Sequence, residues 1–441
     1  MIVVDLDRCM AEQGLTSREQ LLFALRQKCN CATEIINLAV TEFRSDDPAL
    51  VEYIDTEMAW SFDDLGNCFY DCWDGVRHAL ENGQELATKP TTGDLQGRFA
   101  GLPAIVLGAG PGASAHWDAI KASRGRAVLI VCDVMLKPCL ERGIIPDFVS
   151  AIERTPEVYE SLKDTPTDGT TLLAPAVLEK RVIDHFQGRV IWTWRHCGLE
   201  CWIDPEIPRK NFGRSCGVQG IGVALLAGCS PVYLVGHDLC MSGDLTHAAE
   251  AQASTLDTTA KIHADLDEYH QRKPAKSITG RDVQTTHLWG MFKSDIQYIV
   301  AEHPAATVVN TGDGLPIDGT YAGQMPDVWG NPIVMPAIQR QTPGKDRSKL
   351  VPLMLADIPV IEKAMREVMD MTVPDEKRMQ LSRIVGDETA QVWIEIYGGT
   401  YCGALLRLRL QPDQWLVMLK RVANTVIHTL PLIKKGLDAI R

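Results

Sequence analysis

The stretch that most constrains the fold runs from Ala104 to Ser114 and reads AIVLGAGPGAS. Its four leading apolar residues predict a short buried strand, and the glycines behind them predict a tight strand-to-helix turn. Glycine lacks a Cβ, so such a turn can approach a phosphate closely, and the N-terminus of the following helix directs N–H groups at it. A turn that binds no ligand is the alternative. The predicted phosphate-binding residues are Gly108, Gly110, Pro111, Gly112 and Ser114.

Further short apolar runs follow this stretch, and most are separated by segments of helical length. Buried strands that alternate with helices predict an α/β fold with a mostly parallel sheet and helices on both faces. The runs are Ala127–Cys132, Phe148–Ile152, Thr171–Ala174, Arg189–Trp192 and Val232–Val235.

The two ends of the chain have a different pattern. Apolar residues at helical spacing precede a polar stretch at Lys89–Asp94 that contains proline and glycine, and strand-like runs become rare beyond about Val334. We therefore expect an N-terminal helical region over 1–94, a central α/β domain over 95–333 and a C-terminal helical domain over 334–441.

Composition restricts the partners and the compartment. The net charge of −13 argues against nucleic acid, since phosphate backbones need a basic surface. The sequence contains no apolar run of the roughly 20 residues that a membrane helix needs, and its start does not resemble a signal peptide. Its 13 cysteines follow no disulfide pattern, so we expect reduced thiols in the cytoplasm.

Acidic residues occur beside two of the predicted strands. Asp133 ends the second strand, where a carboxylate can accept hydrogen bonds from ribose hydroxyls, and Gly108-x-Gly110-x-x-Ala113 matches a dinucleotide fingerprint. Asp147 opens the next strand and Glu153 lies near the carboxyl end of that strand, the end that carries ligands in doubly wound sheets. A turn cap and a solvated strand end are the alternatives for these two residues.

Further polar residues come later in the chain. Asp238 follows the strand at Val232–Val235, and His247 lies nine residues beyond it, so both are candidates for acid–base or orienting roles. An ordinary surface histidine is the alternative for His247. Two other segments add Ser215 and Asn310 to the predicted substrate-binding residues, although the turn after Asn310 also suits a simple connection.

Taken in order, the motifs resemble a known family. The segments VLGAGPGAS, VLIVCD, GIIPDFVSAIE, GVQGIGVALLAGCSPVYLVGHDL, THA and VVNTGDGLPIDGT are similar to those of the motility accessory factor (Maf) family of bacterial flagellin glycosyltransferases. The central domain of that family is shared with archaeal hydroxymethylpterin diphosphokinases. The resemblance covers roughly residues 95–325.

The resemblance implies a Rossmann-like fold related to that of bacterial sialyltransferases. It also implies transfer of a nonulosonic acid, of the pseudaminic or legionaminic type, from its CMP form to Ser/Thr hydroxyls of flagellin. Asp147 matches the aspartate after the family's proline, and Asp238 matches its Gly-x-Asp-Leu motif. The loop departs from the family's Gly-Pro-Ser-Leu, and Glu153 stands where an aspartate is usual. The loop residues that match are Gly108, Gly110, Pro111 and Ser114.

We therefore expect a glycosyltransferase in which Asp238 or His247 deprotonates the acceptor hydroxyl. Its partners would be a CMP-activated sugar donor and flagellin, with no obligatory cofactor and Mg²⁺ as an optional ion. One alternative is a pyrophosphokinase that acts on hydroxymethylpterin with ATP and Mg²⁺ held by carboxylates such as Asp133. A dinucleotide-dependent dehydrogenase, or a non-catalytic nucleotide sensor, is the other.

Overall fold

The computed structural model describes most of the chain. The chain divides into two compact units. One consists of Thr88–Arg195 and Ile207–Thr342, and the other of Met1–Ala87, His196–Glu206 and Pro343–Arg441. The described residues are 2–27, 41–55, 69–194, 212–243, 245–251, 272–341, 344, 350–370, 384–385, 389–390, 392–393, 396–397 and 412–440.

The helices and strands alternate along the first of these units. The strands of the described residues are β1 Ile2–Asp5, β2 Thr41–Arg44, β3 Ala104–Leu107, β4 Val128–Cys132, β5 Phe148–Ser150, β6 Thr171–Pro175, β7 Val190–Thr193, β8 Val232–Val235, β9 Lys273–Lys276, β10 Asp282–Thr285, β11 Val308–Asn310 and β12 Tyr321–Ala322. The α-helices are α1 Leu6–Gln13, α2 Arg18–Gln27, α3 Phe69–Glu81, α4 Gly83–Thr88, α5 Thr92–Leu95, α6 Trp117–Ala122, α7 Leu136–Glu141, α8 Pro156–Leu162, α9 Lys180–His185, α10 Cys216–Leu226, α11 His287–Ala301, α12 Leu350–Met369 and α13 Pro412–Ile440. Pro111–His116 and Asp133–Met135 are 3₁₀ helices.

An eight-stranded parallel sheet forms the centre of this unit, in the order β12-β11-β8-β3-β4-β5-β6-β7. Strands β3 and β4 are wholly buried, as their uninterrupted apolar runs require in a sheet covered on both faces. The predicted Rossmann-like α/β fold is therefore confirmed.

The strand order reverses direction between β3 and β8. From β3 the chain moves through β4, β5, β6 and β7 to one edge of the sheet, and it then returns to place β8 on the other side of β3. Ala104 of β3 pairs with Val128 on one side and with Val232 on the other. A crevice at such a switch point, outside the carboxyl ends of the strands, is where open α/β sheets bind ligands.

Gln219 fixes helix α10 against the carboxyl half of the sheet. Its side chain accepts a hydrogen bond from Thr193 Oγ1 (2.7 Å) and donates to Ser150 Oγ (2.9 Å) and to the carbonyl of Leu173 (3.1 Å). These partners lie on three strands, β5, β6 and β7. Because a buried amide needs such partners, the bonds specify both the depth and the rotation of α10.

Residues near the predicted domain boundaries belong to the sheet-containing unit. That unit begins at Thr88 and continues to Thr342. The predicted linker packs along the β7 edge, where Trp192 N–H donates to the Pro90 carbonyl (2.8 Å). Thr91 and Asp94 then form a capping box that starts α5.

The second unit combines the described parts of both chain ends. Strands β1 and β2 form a parallel pair, so the N-terminal region is not wholly helical as expected. The β-branched run Ile2–Val4 explains this strand. Phe69 of α3 stacks on Tyr397 (5.6 Å between ring centroids), and a Cβ at Gly436 of α13 would overlap Trp73. Residues 28–40, 56–68, 371–383 and 398–411, which belong to the predicted helical regions, lie outside the described residues.

Within the described ranges, no helix has both the length and the apolar character needed to cross a membrane.

Candidate functional site

The glycine-rich loop after β3 is hydrogen-bonded to the loop after β8. Gly108 N–H donates to the Val235 carbonyl, and Gly110 N–H donates to the Gly236 carbonyl, both at 2.8 Å. The two loops therefore meet at the switch point of the sheet, as their positions after parallel strands predict. This meeting point carries Asp238.

Asp238 is enclosed by glycines. Its Oδ2 accepts a hydrogen bond from Gly112 N–H (2.9 Å), and a Cβ at Gly110 or at Gly112 would overlap the Asp238 carboxylate. A Cβ at Gly312, in the loop after β11, would lie 2.9 Å from Asp238 Oδ1. Burial raises the pKa of Asp238, an effect opposed by the Gly112 N–H and by the nearby His116 and Arg281. The glycines thus make room for a carboxylate of the protein itself.

The loop amides that we expected to bind phosphate donate hydrogen bonds to acceptors of the protein itself. Besides the three bonds above, Ala113 N–H donates to the Gly110 carbonyl (3.0 Å) within the 3₁₀ helix that Pro111 opens. Ser114, the predicted hydroxyl donor, instead donates to Glu250 Oε2 (2.5 Å). The structure brings all five predicted loop residues to the switch point, but it gives their donors protein partners.

A cleft of about 590 Å³ opens beside Asp238, between the 3₁₀ helix and the loop after β11. His116 ends that 3₁₀ helix and lines the cleft. Partial burial lowers the pKa of His116, and the negative charge of Asp238 opposes this shift. Sequence reasoning missed His116, although its place two residues after the loop could have indicated it. The lining residues are Gly112, Ala115, His116, Asp118, Ala119, Thr311, Gly312, Asp313, Gln324, Met325 and Asp327.

Asp133 and Glu153 lie near the N-terminus of α10. Asp133 is 7% exposed, and burial raises its pKa to about 6, against the hydrogen bonds that it accepts from Val134 N–H (2.9 Å) and from the Cys216 thiol. The charge of Glu153 raises that pKa further. Ser215 caps α10 by accepting from Val218 N–H (3.2 Å). These predicted residues therefore share the carboxyl edge of the sheet.

His237 is a second histidine that sequence reasoning did not single out. Its ring is buried and its Nε2 lies 3.2 Å from the Val106 carbonyl. A carbonyl only accepts, so Nε2 carries the proton in this contact. Burial lowers the pKa of His237 to about 4, which keeps the ring neutral at physiological pH. Packing of the two loops is sufficient to explain this residue.

Asn310 and His247 lie near the same loops. Asn310 ends β11, and its Oδ1 accepts from Gly312 N–H (3.2 Å), while its buried Nδ2 has no hydrogen-bond partner among the described residues. His247 Nδ1 lies 3.0 Å from Thr246 Oγ1, and the next residue, Ala248, donates its N–H to the Ala109 carbonyl (2.8 Å). The chain thus folds back over the glycine loop, as the spacing between Asp238 and His247 suggested.

Asp147 does not join the site. It precedes β5 and therefore lies at the amino edge of the sheet, opposite the glycine loop. There it accepts two hydrogen bonds from the Arg124 guanidinium (2.9 Å each) and one from Leu129 N–H (2.8 Å). The structure thus separates Asp147 from the other predicted site residues, because a residue that opens a strand lies one strand length away from the residues that follow the strands.

In the part of the chain that the structure describes, no group of three or more His, Cys, Asp or Glu side chains is arranged to hold a metal ion.

Comparisons with known proteins agree with this architecture. Residues 77–244 match the family model described as 6-hydroxymethylpterin diphosphokinase MptE-like. The structure of the Maf glycosyltransferase from Magnetospirillum magneticum AMB-1 superposes with a TM-score of 0.64 at 17% identity, over 97% of this chain and 70% of that one. No curated protein matches the sequence significantly.

The matched segment contains the glycine loop, Asp133, Ser215 and Asp238, and it ends before His247 and Asn310. The predicted resemblance is thereby confirmed: residues 77–244 match the MptE-like family model, and the chain shares its fold with a Maf glycosyltransferase.

Proposed function

We propose that this chain is a glycosyltransferase that transfers a nonulosonic acid from its CMP form to Ser/Thr hydroxyls of flagellin. The observation that carries the proposal is the cleft at the switch point, which His116 lines and whose glycines 112 and 312 face Asp238. The segment that bears His247 is hydrogen-bonded to the same glycine loop. The shared fold with a Maf glycosyltransferase supports the reaction class. The nonulosonic acid, CMP and flagellin follow from the motif resemblance.

The reaction needs two things from the protein, a group that takes a proton and a cleft of the right shape. An acceptor hydroxyl attacks the anomeric carbon, its proton passes to a base, and CMP leaves with the electron pair of the broken bond. Asp238 and His247 are the residues that we assign to taking this proton or to orienting the group that takes it. Because the loop amides already have partners, we assign to the loop the shaping of the cleft wall.

The charge of the cleft bears on the cation requirement. The cleft is lined by three aspartates, Asp118, Asp313 and Asp327. A CMP-linked nonulosonic acid is also an anion, so the donor and the cleft carry charge of the same sign. Carboxylates and phosphates together attract hard cations such as Mg²⁺, so we propose that Mg²⁺ assists donor binding without being a resident cofactor. We place the reaction in the cytoplasm, where the many thiols stay reduced.

The test is transfer by the purified chain, measured as CMP release and as a mass increase of flagellin, with and without Mg²⁺. We expect Asp238→Asn and His247→Ala to lower kcat by about 10²–10⁴-fold, the usual loss when a general base is removed. Asp168→Asn, an exposed aspartate of the same unit, is the matched control. Near-normal transfer by both site variants would remove this site from consideration, and an inactive native chain would count against the reaction itself.

A diphosphokinase is the second candidate, favoured by the description of the family model that matches residues 77–244. Such an enzyme would transfer diphosphate from ATP to the hydroxyl of hydroxymethylpterin and release AMP. AMP production that depends on pterin and Mg²⁺, without CMP release from the sugar donor, would favour this candidate over the first.

A further inference from the structure

The segment that carries His247 lies directly on the glycine loop. Ala248 N–H donates to the Ala109 carbonyl (2.8 Å), and Ala251 N–H returns to the Ala248 carbonyl (3.0 Å) in a turn. Both alanines are fully buried. The seven-residue stretch Leu245–Ala251 therefore packs against the loop. Its position depends on the contacts that hold the turn.

Glu250 anchors the turn through three donors from two other stretches of the chain, one at Ser114 and Trp117 and one at Arg142. Its carboxylate accepts from Ser114 Oγ (2.5 Å), from Trp117 Nε1 (3.2 Å) and from Arg142 Nη2 (3.3 Å). The Arg142 guanidinium also lies 4.3 Å from the ring centroid of Trp117. The hydrogen bond from Ser114 is the largest of the effects that lower the pKa of Glu250, so the carboxylate is ionised at neutral pH.

These contacts differ from ordinary surface ion pairs. The side chains of Arg142 and Glu250 are only 31% and 26% exposed, and the same carboxylate oxygen also accepts from the indole of Trp117. Ser114 and Glu250 are 136 residues apart in sequence, so the contact joins two distant parts of the chain. Several charge-assisted hydrogen bonds to one partly buried carboxylate are worth clearly more than an exposed pair.

We propose that Glu250 is a positioning residue, whose clamp on Ser114, Trp117 and Arg142 holds His247 against the glycine loop. The role of His247 rests on the proposed function, whereas the clamp rests on the contacts above. The clamp also gives Ser114 a function other than phosphate binding. It moves no proton and touches no reacting atom, so its effect on turnover is indirect.

The clamp itself is tested by hydrogen exchange of the full chain, followed by mass spectrometry of peptides that contain Ala248. Glu250→Ala removes all three acceptor contacts, and we expect protection of this peptide to fall by about tenfold or more. Glu250→Gln keeps an acceptor oxygen but loses the charge, so its loss should be intermediate. If Glu250→Ala fails to fold, Arg142→Met takes its place. This change keeps the aliphatic stem of the side chain, and its loss of protection should resemble that of Glu250→Gln.

Glu160→Gln is the control, because Glu160 is an exposed carboxylate in a surface ion pair with Lys163. Its exchange pattern at Ala248 should equal that of the native chain. Unchanged protection in Glu250→Ala, or in both Glu250→Gln and Arg142→Met, would overturn the clamp.

The positioning role is tested by kinetics on the same variants. A misplaced group costs up to about 100-fold in rate, so we expect kcat to fall by about 10- to 100-fold while KM for the sugar donor stays within about threefold. Lost protection with native kcat would overturn the positioning role. If the native chain transfers no sugar, the proposed function fails, and the exchange experiment still decides whether the clamp exists.

Discussion

Asp238 occupies the space that three absent Cβ atoms leave open. The glycines at 110, 112 and 312 come from two different loops, and each faces the same carboxylate. A glycine-rich turn is usually interpreted as room for a ligand, whereas here the protein fills much of that room with its own anion. The raised pKa of Asp238 follows, because enclosure removes water that would otherwise stabilise the charge.

The buried carboxyl of Asp133 gives a test based on pH. Its pKa is raised from 3.8 to about 6, so the folded state binds a proton more tightly than the unfolded state. The cost of the buried charge is complete above about pH 6 and disappears as pH falls towards 3.8, and 2.2 pKa units correspond to about 3 kcal/mol. We expect Asp133→Asn to gain stability relative to the native chain, by up to that amount, as pH rises from 4 to 8.

Urea unfolding of both proteins across that range measures the difference directly. Asp168→Asn removes an exposed carboxyl and is the control. A difference between Asp133→Asn and the native chain that stays constant with pH would show that Asp133 titrates normally.

The residues that the sequence could predict are those that follow strands. Asp133 and Asp238 come directly after apolar runs, so topology alone places them at the ligand-bearing edge. Asp147 precedes its strand, as predicted, and therefore lies at the opposite edge from the other predicted site residues. His116, Glu250 and Arg142 were missed since their significance comes from contacts between distant segments, which a single sequence does not reveal.

At the scale of elements, the apolar runs predicted the strands well. Strands β3 and β8 agree with the predicted runs, because a continuous buried run bounded by glycine or proline has few other structures open to it. The hairpin β9–β10 was not foreseen, since its exposed residues at Lys273–Lys276 lack an apolar pattern. The helix expected over Ala115–Ala122 begins at Trp117, and Ala115 and His116 belong to the preceding 3₁₀ helix.

Gly110 tests the idea that the loop accommodates Asp238. Its backbone (φ −65°, ψ 158°) suits any residue, so Gly110→Ala introduces no backbone strain and only the overlap of the new Cβ with Asp238 and the Gly236 carbonyl. Overpacking of this kind costs about 1–3 kcal/mol. We expect that loss of unfolding free energy, together with a loss of turnover comparable to that of Asp238→Asn.

Gly290→Ala is the matched control, because a Cβ at this position in α11 meets no atom of the described residues within 4 Å outside its own helix backbone. The helix should gain up to about 1 kcal/mol from alanine. If Gly110→Ala is as stable and as active as Gly290→Ala, the loop tolerates a Cβ at position 110. Accommodation of Asp238 then does not explain the glycines, and a ligand must.

At the scale of the whole molecule, the candidate site lies within one of the two units. The cleft, Asp238, His247 and the Glu250 clamp all belong to the unit formed by residues 88–195 and 207–342. The sequence indicated a central domain from its alternating pattern. It did not show that the described parts of both chain ends form one unit, because that requires contacts such as the one between Phe69 and Tyr397.

Ligand-induced stabilisation separates the three functions that the sequence left open. A ligand at 100 times its Kd stabilises the folded state by about 2.7 kcal/mol, which corresponds to a rise in Tm of roughly 5–10 °C for a unit of this size. We expect CMP to raise Tm, and cytidine, which lacks the phosphate, to raise it less. A rise with ATP and Mg²⁺ alone would favour the diphosphokinase, and a rise with NAD alone would favour the dehydrogenase.

Net charge predicts how salt affects that binding. The chain carries −13, and aspartates at 118, 313 and 327 line the cleft, so an anionic nucleotide is repelled at low ionic strength. Raising salt from 20 to 150 mM shortens the Debye length from about 20 Å to about 8 Å and screens this repulsion. Calorimetry should therefore find CMP binding that is equal or tighter at the higher salt, and Asp327→Asn should reduce the difference. Binding that weakens steeply with salt would instead place the phosphate against basic residues elsewhere on the chain.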